Sequence, residues 1–236
     1  MKWNEILISI EEKDNSNNLA AFASGIVSSF LTPSLSGNFL GRMFYYEKSK
    51  RWKITSYSLI ANFAQFLISI LIGTAALRFI PNIFDIEYWF INFIWIITLS
   101  LLIFFFFGEK ILKNVSITKL QSVLIQIEKG PSRLKLLIIS LFRYLVFVAQ
   151  FALALNAFGE TIDFIRLGLI AVIFLLITIT PSLFFGKVIV RESISISVFS
   201  YAGMAILPVA FASFTTWVFN LLFPALIALI FVKNKK

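Results

Sequence analysis

The sequence predicts an all-α polytopic membrane helix bundle with two re-entrant hairpins arranged as an inverted repeat, and three observations predict it. First, 59% of the 236 residues are hydrophobic and only 14% are charged, where soluble domains carry about 25% charged residues. Second, the apolar stretches 54–79, 89–107, 136–158 and 207–232 each reach the length an α-helix needs to cross about 30 Å of hydrocarbon. Third, the tetrapeptide Thr-Pro-Ser-Leu occurs at 32–35 and again at 180–183. Each copy follows an apolar run and is followed by a glycine and, five residues later, an arginine: Gly37 and Arg42, then Gly186 and Arg191.

Taken in order, residues 1–18 hold only a short apolar core before Glu11-Glu12-Lys13-Asp14, which does not read as a signal peptide. Residues 19–31 are too few to cross before Thr32-Pro33. Pro33 favours a helix stop just before it, and a cation such as Arg42 resists passage through hydrocarbon. Helix breakers and charge at membrane depth are tolerated only where they line a cavity or pack on protein. Residues 19–50 therefore read as a hairpin that enters and leaves by the same face, and 164–204, broken at Pro181, as a second one within a single transmembrane domain, 1–236. An alternative stays open for the second: 164–180 crosses completely and 187–204 crosses back. Between the second and third spans, Ile111, Val115, Leu120, Leu124 and Ile127 alternate with lysines. Two readings are open there, an interfacial amphipathic helix on anionic lipid and a helix packed under the bundle; Gly130-Pro131 closes it either way.

Charge sets the expected orientation. The net charge of +9 would suggest a nucleic-acid partner in a soluble protein. Here the cations cluster between apolar spans, which assigns them to topology and to the anionic lipid surface, with no nucleic acid. Arg42, Lys48, Lys50, Arg51 and Lys53 follow the first hairpin, Lys110, Lys113, Lys119, Lys129, Arg133 and Lys135 follow the second span, and Lys233, Lys235 and Lys236 end the chain. The opposite loops, 81–88 and 159–163, carry Asp85, Glu87, Glu160 and Asp163 and no lysine. The positive-inside rule then places the C-terminus in the cytoplasm of a bacterial-type inner membrane. Three crossings separate the two hairpins, and three is odd, so the second motif enters from the other face. Interrupted segments in corresponding positions of two halves point to a substrate site near the bilayer midplane.

The chain has no cysteine and no histidine, which removes thiolate chemistry and the commonest general base and metal ligand together. The expectation is a protein that is not an enzyme and needs no cofactor. A helix start within the membrane offers free backbone donors and partial positive charge, which favour an anion at Gly37 and Gly186. Arg42 and Arg191 add planar forks that can grip phosphate. The competing reading has each arginine reach the interface or pair with an acid, Arg191 with Glu192 or Glu160. Asn62, Gln65 and Asn220 read as polar bonds between helices. Arg143, seven residues before Gln150, either lines a cavity or reaches towards Arg133 and Lys135. The run 104–107 of phenylalanines, with Trp89, Trp95 and Trp217, reads as lipid-facing bulk and interface belt.

At these motifs the chain resembles the transmembrane, flippase-type region of the lysylphosphatidylglycerol synthase family. Three blocks carry the resemblance: Thr32-Pro33-Ser34-Leu35-Ser36-Gly37-Asn38-Phe39-Leu40-Gly41-Arg42, then Pro181-Ser182-Leu183-Phe184-Phe185-Gly186-Lys187-Val188-Ile189-Val190-Arg191-Glu192, and Trp217-Val218-Phe219-Asn220-Leu221-Leu222-Phe223-Pro224-Ala225. The resemblance implies movement of anionic or aminoacylated phospholipid headgroups between leaflets, through a cavity lined by the two hairpins. It adds Asn38, Lys187 and Glu192 to the headgroup contacts of Arg42, Arg191, Gly37 and Gly186. Asn38 stands where that family usually has an acid. The chain is expected to be a short or N-terminally truncated member without the soluble aminoacyl-transfer domain. A second function from another class stands beside translocation: a membrane accessory subunit presenting lipid to a separate glycosyl- or aminoacyl-transferase.

Overall fold

The structure, a computed structural model, describes residues 1–12, 17–32, 36–80, 86–113, 130–180 and 186–233. Among these the regular elements are helical: α1 (Lys2–Ser9), α2 (Asn18–Leu31), α3 (Ser36–Met43), α4 (Lys48–Phe79), α5 (Tyr88–Lys113), α6 (Arg133–Ala157), α7 (Phe164–Ile179), α8 (Gly186–Tyr201), α9 (Ile206–Trp217), a π-helical turn (Val218–Leu222) and α10 (Phe223–Lys233). Four helical stretches, Lys48–Phe79, Tyr88–Gly108, Arg133–Ala157 and Ile206–Val232, are long and apolar enough to cross a membrane. They coincide with the four predicted spans. Large apolar side chains such as Trp89, Phe93, Ile96, Phe142, Leu153, Phe219 and Ile230 are exposed on them, which suits contact with lipid.

Both predicted breaks fall where proline dictates. α2 ends at Leu31 with Thr32 extended, and α7 ends at Ile179 with Thr180 extended; α3 and α8 restart at Ser36 and Gly186. Pro33, Pro181 and the 114–129 part of the amphipathic stretch lie outside the described residues.

The chain divides into two compact units, each assembled from separate segments. Unit 1 comprises Met1–Gln65, Ser100–Ser140 and Ala225–Lys236. Its least expected element is α1. Trp3, Ile6 and Leu7, at helical spacing, are buried together with Ile10, and Lys2 Nζ donates to the Ala61 carbonyl (3.0 Å) and Gln65 Oε1 (3.2 Å) of α4. Gln65 Nε2 in turn donates to the Ser140 carbonyl at 3.5 Å, so Gln65 bonds helices as expected. The phenylalanine run is not uniformly lipid-facing. Phe104, Phe106 and Phe107 are exposed, but Phe105 is buried, with Phe63 5.9 Å away and the Arg133 guanidinium 5.3 Å from its ring, because successive residues on a helix point to different sides.

Unit 2 comprises Phe66–Leu99 and Leu141–Pro224. Its core is built on α7, where Leu169, Ile170, Val172, Ile173 and Leu175 are buried with Ile70 and Leu77 of α4, Phe151 and Leu155 of α6, Val198 and Phe199 of α8, and Val209 and Ala212 of α9. The middle of α7 is the enclosed part, while Phe164, Ile165 and Ile179 near its ends are exposed. Phe151 and Phe199 stack at 6.2 Å. Gly73 lets α4 approach α7 closely, since a Cβ there would lie 2.4 Å from the Leu175 Cβ. Asp163 caps α7 by accepting from the Arg166 N–H at 2.8 Å.

Candidate functional sites

The first site is the α2–α3 pair. Its two helices touch backbone to backbone: a Cβ on Gly37 would meet the Ser28 carbonyl oxygen at 2.1 Å, and one on Gly41 the Ser24 carbonyl oxygen at 2.5 Å. The spacing Gly37-x-x-x-Gly41 against Ser24 and Ser28 is the small-residue packing of helices in lipid. The Thr32 hydroxyl ties the break together, donating to the Ser28 carbonyl (2.8 Å) and accepting from the Gly37 N–H (2.6 Å). This corrects one expectation. The Gly37 N–H, expected to be free for an anion, is satisfied by the threonine that ends the preceding helix, because a hydroxyl carries both a donor and acceptor lone pairs.

Arg42 is buried, at 8% exposure. Its guanidinium lies 4.5 Å from the Trp3 ring centroid and 5.3 Å from that of Phe22. Gly25 makes the room: a Cβ there would fall 2.6 Å from Arg42 Nε and 2.8 Å from the Asn38 carbonyl oxygen. Trp3 meets Tyr46 edge-on at 6.2 Å, and the Tyr46 hydroxyl donates to Asn18 Oδ1. Burial, reinforced by the Glu12 carboxylate and opposed by Arg42, pushes the Tyr46 phenol up to about 12. Asn38 Oδ1 is a buried acceptor with no hydrogen-bond donor among the described residues.

The second site is a polar seam between α8 and α9. One Arg191 terminal nitrogen donates to Thr216 Oγ1, whose own proton goes to the Ser213 carbonyl at 2.8 Å. One helical turn on, the Ser195 hydroxyl lies 3.3 Å from that of Ser213. Ser195, Ser213 and Thr216 are all buried. Glu192 lies within electrostatic reach of Arg191 and the Ser213 hydroxyl. Among the described residues, the buried atoms Arg191 Nε and Glu192 Oε1 have no hydrogen-bond partner. Glu160 is not the acid for Arg191, because it pairs with Arg166 at 3.4 Å across the turn that caps α7.

The remaining candidates divide. Lys187 is the second residue of α8, directly after Gly186. Arg143 is exposed, with its guanidinium 5.0 Å from the ring of Phe147, one turn further along α6 and away from Arg133 and Lys135; it has no described contact with the Arg191 seam. Asn220 Nδ2 donates to Gln150 Oε1 at 2.9 Å, a helix-to-helix bond of the kind expected of Asn220. Sequence reasoning missed Trp3, Phe22 and Gly25 around Arg42, and Ser213 and Thr216 around Arg191. The serine and glycine spacing in 24–41 was a readable signal for the helix contact; the partners of Arg191 arise from tertiary packing alone.

No family model, curated protein or solved structure matches this chain.

Proposed function

We propose that the protein is an integral membrane translocase for phospholipids that binds headgroup phosphate on arginine and carries out no covalent chemistry. The observation that carries this reading is the pair of buried orphan atoms at Arg191 and Glu192. A buried donor or acceptor without a partner costs about 1–3 kcal/mol, so a site holding one of each side by side is completed by a ligand that supplies both partners. A phosphate accepts from the Arg191 fork. The ammonium of an aminoacylated headgroup donates to Glu192. Arg42, five residues after Gly37 as Arg191 is five after Gly186, serves as the second fork, with Asn38 Oδ1 as the neighbouring acceptor.

The resemblance to the lysylphosphatidylglycerol synthase transmembrane region supports the same reading through the proline, glycine and Arg-Glu block at 181–192. In it, α2–α3 and α7–α8 are re-entrant hairpins entering from opposite faces, and the basic loops and the C-terminus lie in the cytoplasm. The test is mass spectrometry of the detergent-purified protein for retained lipid. Wild type is expected to retain a phosphate-bearing lipid that Arg191→Ala loses and Lys110→Ala keeps. Equal retention by Arg191→Ala would contradict the assignment. Retained lipid together with a co-purifying transferase would favour the accessory-subunit function instead.

A further inference from the structure

We infer that α1 completes the first site and that Trp3 is a positioning residue for Arg42. The inference rests on the reading of Arg42 as a phosphate fork. Its physical basis is the cation–π contact: the guanidinium carbon lies over the indole ring, 4.5 Å from its centroid, and over the Phe22 ring at 5.3 Å. A guanidinium donates hydrogen bonds in its plane and meets aromatic rings through its faces. Rings packed against the cation therefore restrict where its N–H edge can point, which is what orienting a phosphate fork requires.

Several independent contacts hold the indole there. Trp3, Ile6, Leu7 and Ile10 are all buried, so α1 is docked by apolar area. Lys2 fixes its start on Ala61 and Gln65, Glu5 reaches Lys135 at 3.7 Å, and Glu12 bonds Lys50 at its far end. Gly25 on α2 leaves room for the Arg42 side chain, since a Cβ there would fall 2.6 Å from Nε.

The experiment compares full-length wild type with Trp3→Phe, which keeps a smaller aromatic face, and Trp3→Leu, which keeps apolar bulk without one. Two readouts are taken. The first is the rate at which phenylglyoxal modifies Arg42, mapped by peptide mass spectrometry and independent of transport. The second is leaflet exchange of labelled phosphatidylglycerol in phosphatidylcholine vesicles, titrated with the anionic lipid. Trp3→Leu is expected to raise Arg42 reactivity and the half-saturating phosphatidylglycerol fraction, each about tenfold, with the exchange rate at saturation retained. Trp3→Phe should fall between, and it carries the test if Trp3→Leu does not fold. A purely structural role lowers the saturated rate and leaves the half-saturating fraction unchanged, and that outcome overturns the inference, as does unaltered Arg42 reactivity in both variants. If wild type exchanges no lipid, the translocase reading fails while Arg42 reactivity still decides whether Trp3 holds the arginine.

Discussion

Individual residues set the limits of the first site. A methyl group on Gly37 would fall 2.1 Å from a backbone carbonyl oxygen, and backbone cannot swing aside as a long side chain can. Gly37→Ala is accordingly expected to lower stability by about 1–3 kcal/mol, the usual cost of overpacking, read as a drop in thermal midpoint in detergent. Gly108→Ala should cost less, since the nearest atoms its added methyl would meet are those of the Phe104 side chain, at 3.2 Å. Tyr46 provides a pH signature. Its phenol rises from 10.0 to about 12, chiefly by burial, so the folded state holds that proton where the unfolded chain has lost it. Its contribution is intact below about pH 10 and declines as pH rises towards 12. The midpoint of Tyr46→Phe should therefore fall less steeply over that range than wild type, and parallel curves would contradict the assignment. The arginines were legible in the sequence because a repeated cation among apolar residues needs a reason. Their aromatic and hydroxyl partners were not, because Trp3 and Thr216 reach them only through packing of helices distant in sequence.

At the scale of elements, proline and glycine made the breaks legible. Thr32 and Thr180 terminate α2 and α7 as expected, and α3 and α8 restart beside their glycines. The copies diverge after that point: α3 stops after 8 residues, one past Arg42, whereas α8 runs for 16. The helix α1 was not legible, since an element of 8 residues is too short to be stable by propensity and depends on the surface that receives it. The π-helical turn at Val218–Leu222 was likewise unforeseen. It directly precedes Phe223-Pro224, where a proline lacks the N–H and crowds the carbonyl four residues back, and a π-turn relieves that conflict. Asn220 sits in this turn and bonds Gln150. Asn220→Leu is expected to cost about 0.5–2 kcal/mol, with Gln150→Leu adding little on top, because both remove one bond. Fully additive losses in a double-mutant cycle would show that the pair is not coupled.

For the whole molecule, the four long apolar helices were readable from hydropathy alone, since hydrocarbon demands continuous apolar helix. The division into two units built from interleaved segments was not, because it is a property of contacts. The proposed orientation is testable directly in a chain without native cysteine. An impermeant thiol reagent applied to intact cells should label Glu87→Cys and spare Lys48→Cys, both exposed positions; the reverse pattern would invert the topology. Lipid translocation itself is tested by leaflet exchange of fluorescent phospholipid in proteoliposomes of purified protein. Wild type is expected to exchange anionic lipid well above protein-free vesicles, with Arg42→Ala and Arg191→Ala each abolishing the excess, lysine at either position restoring part of it, and Lys110→Ala leaving it intact. Wild-type exchange no faster than protein-free vesicles, for anionic and zwitterionic lipids alike, would contradict translocation.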